Sequence, residues 1–123
     1  MISMSAILGD GASVHLENVS VENSGEYGVG VWGTKRGTMK NCNVSHSKES
    51  GLYVGGGGVM TIDGNGTTIH HNCTDGDSLH YGLHSGTYHA GSIHLASSLT
   101  IETISKNNGG GGNYGGKGTI KTL

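Results

Sequence analysis

The sequence is poor in the features that nucleic-acid and membrane partners require. Its 123 residues include seven Lys and Arg, nine Asp and Glu, and a single arginine, Arg36. Nucleic-acid binding depends on clustered cations, so a nucleic-acid partner is not expected. No apolar run approaches the ~20 residues of a membrane span. The apolar segment from Met1 to Leu8 is too short for a signal peptide and lacks its basic start.

Proline and phenylalanine are absent, and charged residues make up only 13% of the chain. With 25 glycines, this composition differs from that of an average globular protein. The apolar positions are nevertheless periodic, which a disordered chain does not require. The length predicts one domain with a modest core. The two cysteines, Cys42 and Cys73, leave buried thiols and a disulfide as open alternatives and do not fix the redox compartment.

A repeat of 23 residues is the strongest signal present. Apolar positions return as apolar positions, and Asn, Ser and Gly return unchanged. Leu16, Asn18, Val21, Ser24, Gly28, Val29, Val31 and Gly33 become Met39, Asn41, Val44, Ser47, Gly51, Leu52, Val54 and Gly56. Such a period predicts a solenoid, in which each coil buries its apolar face against a copy of itself.

Later coils keep the pattern with insertions. Ile69 follows Val44 by 25 residues, and about six extra residues are expected within the segment from Asn72 to Tyr81. A fourth coil opens at Ile93, and its Leu99-Thr100-Ile101 copies Val19-Ser20-Val21. The last six residues resemble Gly37 to Cys42, the opening of a coil. An open coil predicts a fragment of a longer solenoid, or a homo-oligomer that associates through its terminal coils.

Within a coil, apolar residues alternate with period two in three short segments separated by Asn, Ser and Gly. Leu16 to Val31 and Met39 to Val54 match the pattern Ile-x-Asn-x-x-Ile-x-x-Asn/Ser-x-x-x-Gly-Ile-x-Val closely. This resembles the parallel β-helix repeat of the pectate-lyase-like superfamily. The resemblance implies an all-β fold for residues 1–123: a single-stranded right-handed parallel β-helix (solenoid) of about four to five coils with three short strands each.

The fold predicts which residues stack from coil to coil. Asn18 and Asn41 are expected in a hydrogen-bonded ladder at the turn between the second and third strands, as in similar proteins. Glu17, Lys40 and Asp63 are expected as an exposed, weakly interacting ladder. Two interior ladders are predicted, one of Val21, Val44, Ile69 and Ile101, and the other of Val29, Leu52 and Leu83.

The resemblance does not extend to catalytic machinery. The Asn-x-Asp, Asp-Asp, Gly-His-Gly and Arg-x-Lys motifs of polygalacturonases are missing. Tyr81-Gly82-Leu83-His84 resembles a stretch of alginate epimerases but lacks its Asp and Pro. No catalytic, cofactor or metal residue is therefore assigned. The candidate glycan or ion contacts are Asp63, Asp75, Asp77, His80, Tyr81 and His84.

Histidine clusters and glycine tracts suggest two further kinds of site. His80, His84, His89 and His94 lie within fifteen residues and could converge on zinc or copper, although exposed polar side chains are the favoured reading. Gly55 to Gly58 and Gly109 to Gly112 lead into strands, without the helix N-terminus or the Gly-Lys-Ser/Thr of a phosphate loop. They are expected to form turns.

The favoured function is a non-catalytic structural or surface-recognition module that contacts carbohydrate, within an extracellular, cell-surface or virion-associated parent protein. The alternative is a fragment of a polysaccharide-active lyase, hydrolase or epimerase, with Asp63, Asp75, Asp77, His80, Tyr81 and His84 along its groove. A third alternative, ice binding, is disfavoured because the column of Ser20, Asn43, Thr68 and Thr100 is short.

Overall fold

The computed structural model describes residues 7–10, 13–33, 36–86 and 90–123. Its strands are short because apolar residues alternate for only a few positions before a turn. The strands are β1 (Ile7–Asp10), β2 (His15–Glu17), β3 (Ser20–Glu22), β4 (Val29–Trp32), β5 (Gly37–Lys40), β6 (Asn43–Ser45), β7 (Leu52–Gly55), β8 (Val59–Asp63), β9 (Thr68–His70), β10 (Leu83–Ser85), β11 (Ser92–Leu95), β12 (Ser105–Lys106), β13 (Tyr114–Gly116) and β14 (Thr119–Thr122). A single-turn helix, α1 (Ile101–Ile104), precedes β12.

The strands stack into three parallel sheets. Sheet A has the order β14-β11-β8-β5-β2, sheet B the order β12-β9-β6-β3, and sheet C the order β1-β4-β7-β10-β13. Each pass through A, B and C completes one coil, and the next coil hydrogen-bonds directly to it. The predicted parallel β-helix is confirmed, and it has about four coils, within the predicted range of four to five.

Interior ladders fill the space between the sheets. Val44 pairs in register with Val21 and Ile69, and Leu52 pairs with Val29 and Leu83. All six of these residues are almost completely buried. The predicted spacings of 23 and 25 residues in sheet B are confirmed.

The prediction that Ile101 continues the sheet B ladder is wrong, because Ser105 pairs with Ile69. The Thr100 and Thr103 side chains form a capping box that starts α1 where a strand was expected. The added turn delays the ladder by four residues. Ile104 becomes the buried residue of this segment, and Ile101 is only partly buried.

The asparagine ladder also lies elsewhere. Asn18 and Asn41 lie at the turn from sheet A to sheet B, between the first and second strands of a coil rather than between the second and third. Their backbones are left-handed (φ 56° and 51°) and their side chains are exposed. The buried ladder is at the turn from sheet B to sheet C. There the Asn72 amide donates to the Val44 carbonyl (3.1 Å) and to Asn108 Oδ1 (3.0 Å), and Asn72 Oδ1 accepts from the Ser47 N–H (3.0 Å).

The predicted insertion is confirmed, since 31 residues separate Leu52 from its partner Leu83. The last strand opens a new pass through sheet A as expected, but its register differs by two residues. Ile120 pairs with Ile93, in the column of Gly37 rather than that of Met39. A shift of two leaves the inward and outward faces unchanged.

The exterior follows the repeat as well. Lys40 pairs in register with Glu17 and Asp63, and all three side chains are exposed. Both cysteines are buried, free thiols. No helix in the described ranges has the length and apolar character needed to cross a membrane. β12, β13 and β14 each have a hydrogen-bonded neighbour on one side, and self-association through the terminal coils stays a prediction.

Candidate functional site

Aromatic rings cover part of the outward face of sheet C. Because Leu52 and Val54 point into the core, Tyr53 between them points outward. The Tyr53 ring stacks on that of Tyr27, with centroids 4.7 Å apart and an interplanar angle of 17°. The Trp32 ring lies 5.3 Å from Tyr53 and 5.9 Å from Tyr27. Three rings from two coils therefore form one aromatic surface.

Glycines at neighbouring outward positions let these rings lie close to the sheet. Gly30 pairs with Tyr53, and Gly55 pairs with Trp32. A Cβ atom at Gly30 would lie 2.9 Å from the Trp32 ring, and one at Gly55 would lie 2.9 Å from the Tyr53 ring. Any side chain at either glycine would displace a ring.

His84 extends this surface into the third coil. It pairs with Tyr53 in register, and its ring meets the Tyr53 ring edge-on at 4.8 Å. The Ser50 hydroxyl hydrogen-bonds to His84 Nδ1 (2.9 Å) and accepts from the Tyr81 N–H (3.1 Å). Burial, with a smaller contribution from His80, lowers the pKa of His84 to about 4, so the ring is neutral at pH 7.

A groove of about 530 Å³ runs along the rings of Tyr27, Tyr53 and His84, and Trp32 flanks these rings without lining the groove. Burial is the main cause that raises the pKa of Tyr27 to about 12, so its phenol stays protonated and can donate a hydrogen bond. The residues that line the groove are Tyr27, Tyr53, Leu79, His80, Tyr81, His84, Gly116 and Lys117.

Acidic residues lie behind His80 at the rim. His80 Nδ1 is 3.2 Å from Asp75 Oδ2, and His80 Nε2 is 3.8 Å from Glu49 Oε1. Burial raises the pKa of Glu49, against the opposing effect of His80. Asp75 Oδ1 accepts from the Asp77 N–H (3.0 Å), and Asp77 Oδ1 accepts from the Leu79 N–H (2.9 Å).

Five of the six candidate residues predicted from the sequence lie in or beside the groove. His80, Tyr81 and His84 line it, and one ligand atom from each of Asp75, Asp77 and His80 lies within 4.8 Å of the others. Asp63 does not join them. It ends β8 in sheet A, where its Oδ1 accepts from the Gly64 N–H at 2.7 Å.

The aromatic half of the site was missed, although the repeat contains a signal for it. Tyr27, Ser50 and Tyr81 each precede the glycine that opens a sheet C strand, so they occupy one repeat position. The sequence also predicts Tyr53 on the outward face of its strand, because it lies between two inward residues. Lys117 follows the last glycine tract, and no repeat position predicts that it would line the groove.

The described histidines of the predicted cluster do not converge on one site. His80 and His84 are in the groove, with ring centroids 6.5 Å apart, whereas His94 is on β11 in sheet A. Burial, Lys121 and Arg36 lower the pKa of His94. His89 lies outside the described residues.

The coil geometry agrees with a comparison to known families. The family model described as the right-handed β-helix region matches residues 3–121. The chain belongs to the right-handed β-helix family. No curated protein and no solved structure matches it significantly. Membership of this family fixes the fold and its hand but leaves the function open, because one fold supports many activities.

Proposed function

We propose that this β-helix chain is a non-catalytic surface-recognition module that binds carbohydrate through the aromatic groove of sheet C. The observation that carries the proposal is the continuous surface of Tyr27, Trp32 and Tyr53. These rings can lie against the sheet because the outward glycines beside them have no side chains. A sugar ring has an apolar C–H face and a polar hydroxyl rim. Aromatic faces suit the first, and fixed hydrogen-bonding groups suit the second.

The groove supplies both kinds of contact. Its volume of about 530 Å³ falls within the range of about 300–1,000 Å³ that is usual for small-molecule sites. Tyr27 brings a protonated phenol, His84 a neutral imidazole, and Lys117 a cation. Hydroxyl groups, or a sugar carboxylate beside Lys117, are suited to these partners.

The distribution of carboxylates favours binding over hydrolysis. Glycoside hydrolysis ordinarily places two carboxyl groups on either side of the scissile bond. Within the described part of the chain, the side chains that line this groove include no Asp or Glu. Glu49 and Asp75 reach His80 from the rim.

The alternative, a fragment of a polysaccharide-active enzyme, has one observation in its favour. His80 lines the groove while Asp75 holds its Nδ1, as a carboxylate orients a general base. A lyase or epimerase that abstracts a sugar proton would use such a base.

Carbohydrate binding is tested by titrating the chain with neutral and acidic oligosaccharides while its single tryptophan reports by fluorescence. Tyr53→Ala is expected to weaken binding at least tenfold, because a stacked aromatic contact contributes ~0.5–1.5 kcal/mol beyond the apolar area it buries. Tyr114→Ala is the matched control, since Tyr114 is 55% exposed on the same sheet and outside the groove lining. Equal loss in both variants, or no binding by the parent chain, would contradict the proposal.

Turnover distinguishes the module from the enzyme fragment. With pectate, polygalacturonate and alginate, with and without Ca²⁺, the chain is expected to yield no unsaturated products or new reducing ends. Turnover that Asp77→Ala or His80→Gln abolishes, while Lys48→Gln leaves it intact, would establish the enzymatic alternative.

A further inference from the structure

Three histidines lie together at the outer end of sheet B, away from the aromatic groove. His46 and His71 occupy the same position in successive coils, because Ser45 pairs with His70. Both have left-handed backbones, with φ values of 57° and 55°. This conformation interrupts the strand's alternation of side chains, so the neighbouring His70 and His71 come together.

The two adjacent rings present nitrogen atoms to each other. His70 Nδ1 and His71 Nδ1 are 2.7 Å apart, and the ring planes are at 85°. His70 Nε2 is 3.1 Å from Asn43 Oδ1, which also accepts from the Thr68 hydroxyl. Since Asn43 Oδ1 is an acceptor, the His70 proton is on Nε2 and the lone pair is on Nδ1.

The hydrogen bond from His70 to Asn43 is typical of a metal-binding histidine. A ligating histidine usually donates its second ring N–H to a carbonyl or carboxylate oxygen, which fixes its tautomer and orientation. Asn43 performs this role for His70. Burial, with contributions from His71 and His46, lowers the pKa of His70.

We propose that His70 and His71 form a chelating site for a divalent transition-metal ion, with copper(II) as the preferred ion. The ion binds both Nδ1 atoms, and the proton that His71 Nδ1 donates in the metal-free pair moves to His71 Nε2. His71 is exposed, so its Nε2 can carry that proton in solvent.

The general affinity order of divalent metals selects among ions. The 2.7 Å separation of the two Nδ1 atoms is that of a hydrogen bond in the metal-free pair. With metal–nitrogen bonds of about 2.0–2.1 Å, two ligands at a right angle are about 2.8–3.0 Å apart, so the rings separate slightly when the ion replaces the shared proton. Imidazole nitrogens suit copper(II), which binds most tightly in the affinity order of divalent metals.

The surroundings leave room for further ligands. A pocket of about 150 Å³ adjoins both rings, and Thr68 and Asn107 also line it, so water can complete the coordination. The His46 ring stacks parallel to His71, with centroids 5.4 Å apart and an angle of 8°, which restricts how His71 can turn.

Two charged side chains flank the site with opposite effects. Lys106 pairs in register with His70 from the following coil, and its positive charge opposes a metal cation. Glu22 lies two coils before His70 in the same column and favours a cation there. Lys106 therefore provides a test that leaves both ligands in place.

The experiment is a titration of the purified chain with copper(II) at pH 7.5, followed by calorimetry and electron paramagnetic resonance. We expect one ion per chain and hyperfine structure from two imidazole nitrogens. His70→Gln and His71→Gln should each lower the affinity at least tenfold, since losing even an outer-shell partner typically costs 10–100-fold. Asn43→Ala should lower it as well, and Asn43→Asp should restore it. His15→Gln, at an exposed histidine of sheet A, is the matched control.

Lys106→Gln tests the site without changing either ligand, so it remains informative if a histidine variant folds poorly. It removes a nearby positive charge and should strengthen copper binding several-fold, while the hyperfine structure from two imidazole nitrogens is retained. Unchanged or weaker binding in Lys106→Gln would contradict the proposal. So would a folded His70→Gln/His71→Gln double variant with the parent's affinity and spectrum, or a parent chain that binds no stoichiometric copper.

Discussion

Replacing Val44 with aspartate is expected to unfold the solenoid. Val44 has no exposed surface and is stacked in register between Val21 and Ile69 in the middle of sheet B. A carboxylate there would be buried without a partner, or would have to be protonated at a large cost. We expect a loss of about 4 kcal/mol or more, which approaches the whole stability of a small domain.

Urea denaturation followed by circular dichroism measures this effect. Lys48→Asp, four residues along the chain, introduces the same side chain at an exposed position and should change the unfolding free energy by about 0.5 kcal/mol or less. Val44→Ala should fall between the two, because it removes two methyl groups without adding a charge. If Val44→Asp unfolded at the same urea concentration as Lys48→Asp, the sheet B ladder would not be buried as described.

The inward ladders could be predicted because they depend on spacing alone. A fixed 23-residue period and a two-residue alternation identify Val21 and Val44 as neighbours, and the two-residue delay before Ile69 is visible in the sequence. The same counting located the insertion before Leu83. In a solenoid each coil contacts the next, so sequence distance converts directly into position.

Prediction failed where local hydrogen bonds outweighed the repeat. Leu99-Thr100-Ile101 has the alternation of a strand, but the Thr100 and Thr103 hydroxyls satisfy the backbone of a helical turn. Periodicity contains no information about such capping. The exposed Asn18 and Asn41 were likewise chosen because they recur. The ladder is instead formed by the buried Asn72 and the partly buried Asn108, whose positions have no asparagine in the first two coils.

Only part of the candidate groove could be predicted from the sequence. The predicted part lies in or next to the insertion, where its residues are close together in sequence: Asp75, Asp77, His80, Tyr81 and His84. The aromatic surface combines Tyr27 and Trp32 with Tyr53 from the next coil, and it depends on small outward residues at Gly30 and Gly55. Those glycines are recognised as spacers only when the rings above them have known positions. His70 and His71 likewise converge because of a backbone angle, which the sequence does not display.

Replacing Asn72 with leucine is expected to be the second most damaging change. Asn72 is 1% exposed, and its side chain replaces missing backbone partners where the chain leaves sheet B. Its amide donates to the Val44 carbonyl and to Asn108 Oδ1, and its oxygen accepts from the Ser47 N–H. Leucine has a similar size but satisfies none of these groups. Each buried polar group left unpaired costs ~1–3 kcal/mol, so the total should be about 3 kcal/mol or more.

Because three coils meet at Asn72, the loss should spread along the solenoid rather than remain local. Hydrogen exchange should accelerate at the Ser47 N–H, which loses its acceptor, and also at the Gly82 N–H, which opens the next sheet C strand. Asn65→Leu makes the same substitution at an exposed turn residue and should leave both rates and the denaturation midpoint nearly unchanged. If Asn72→Leu were as stable as Asn65→Leu, the buried amides would not hold the coils together, and apolar stacking alone would account for the register.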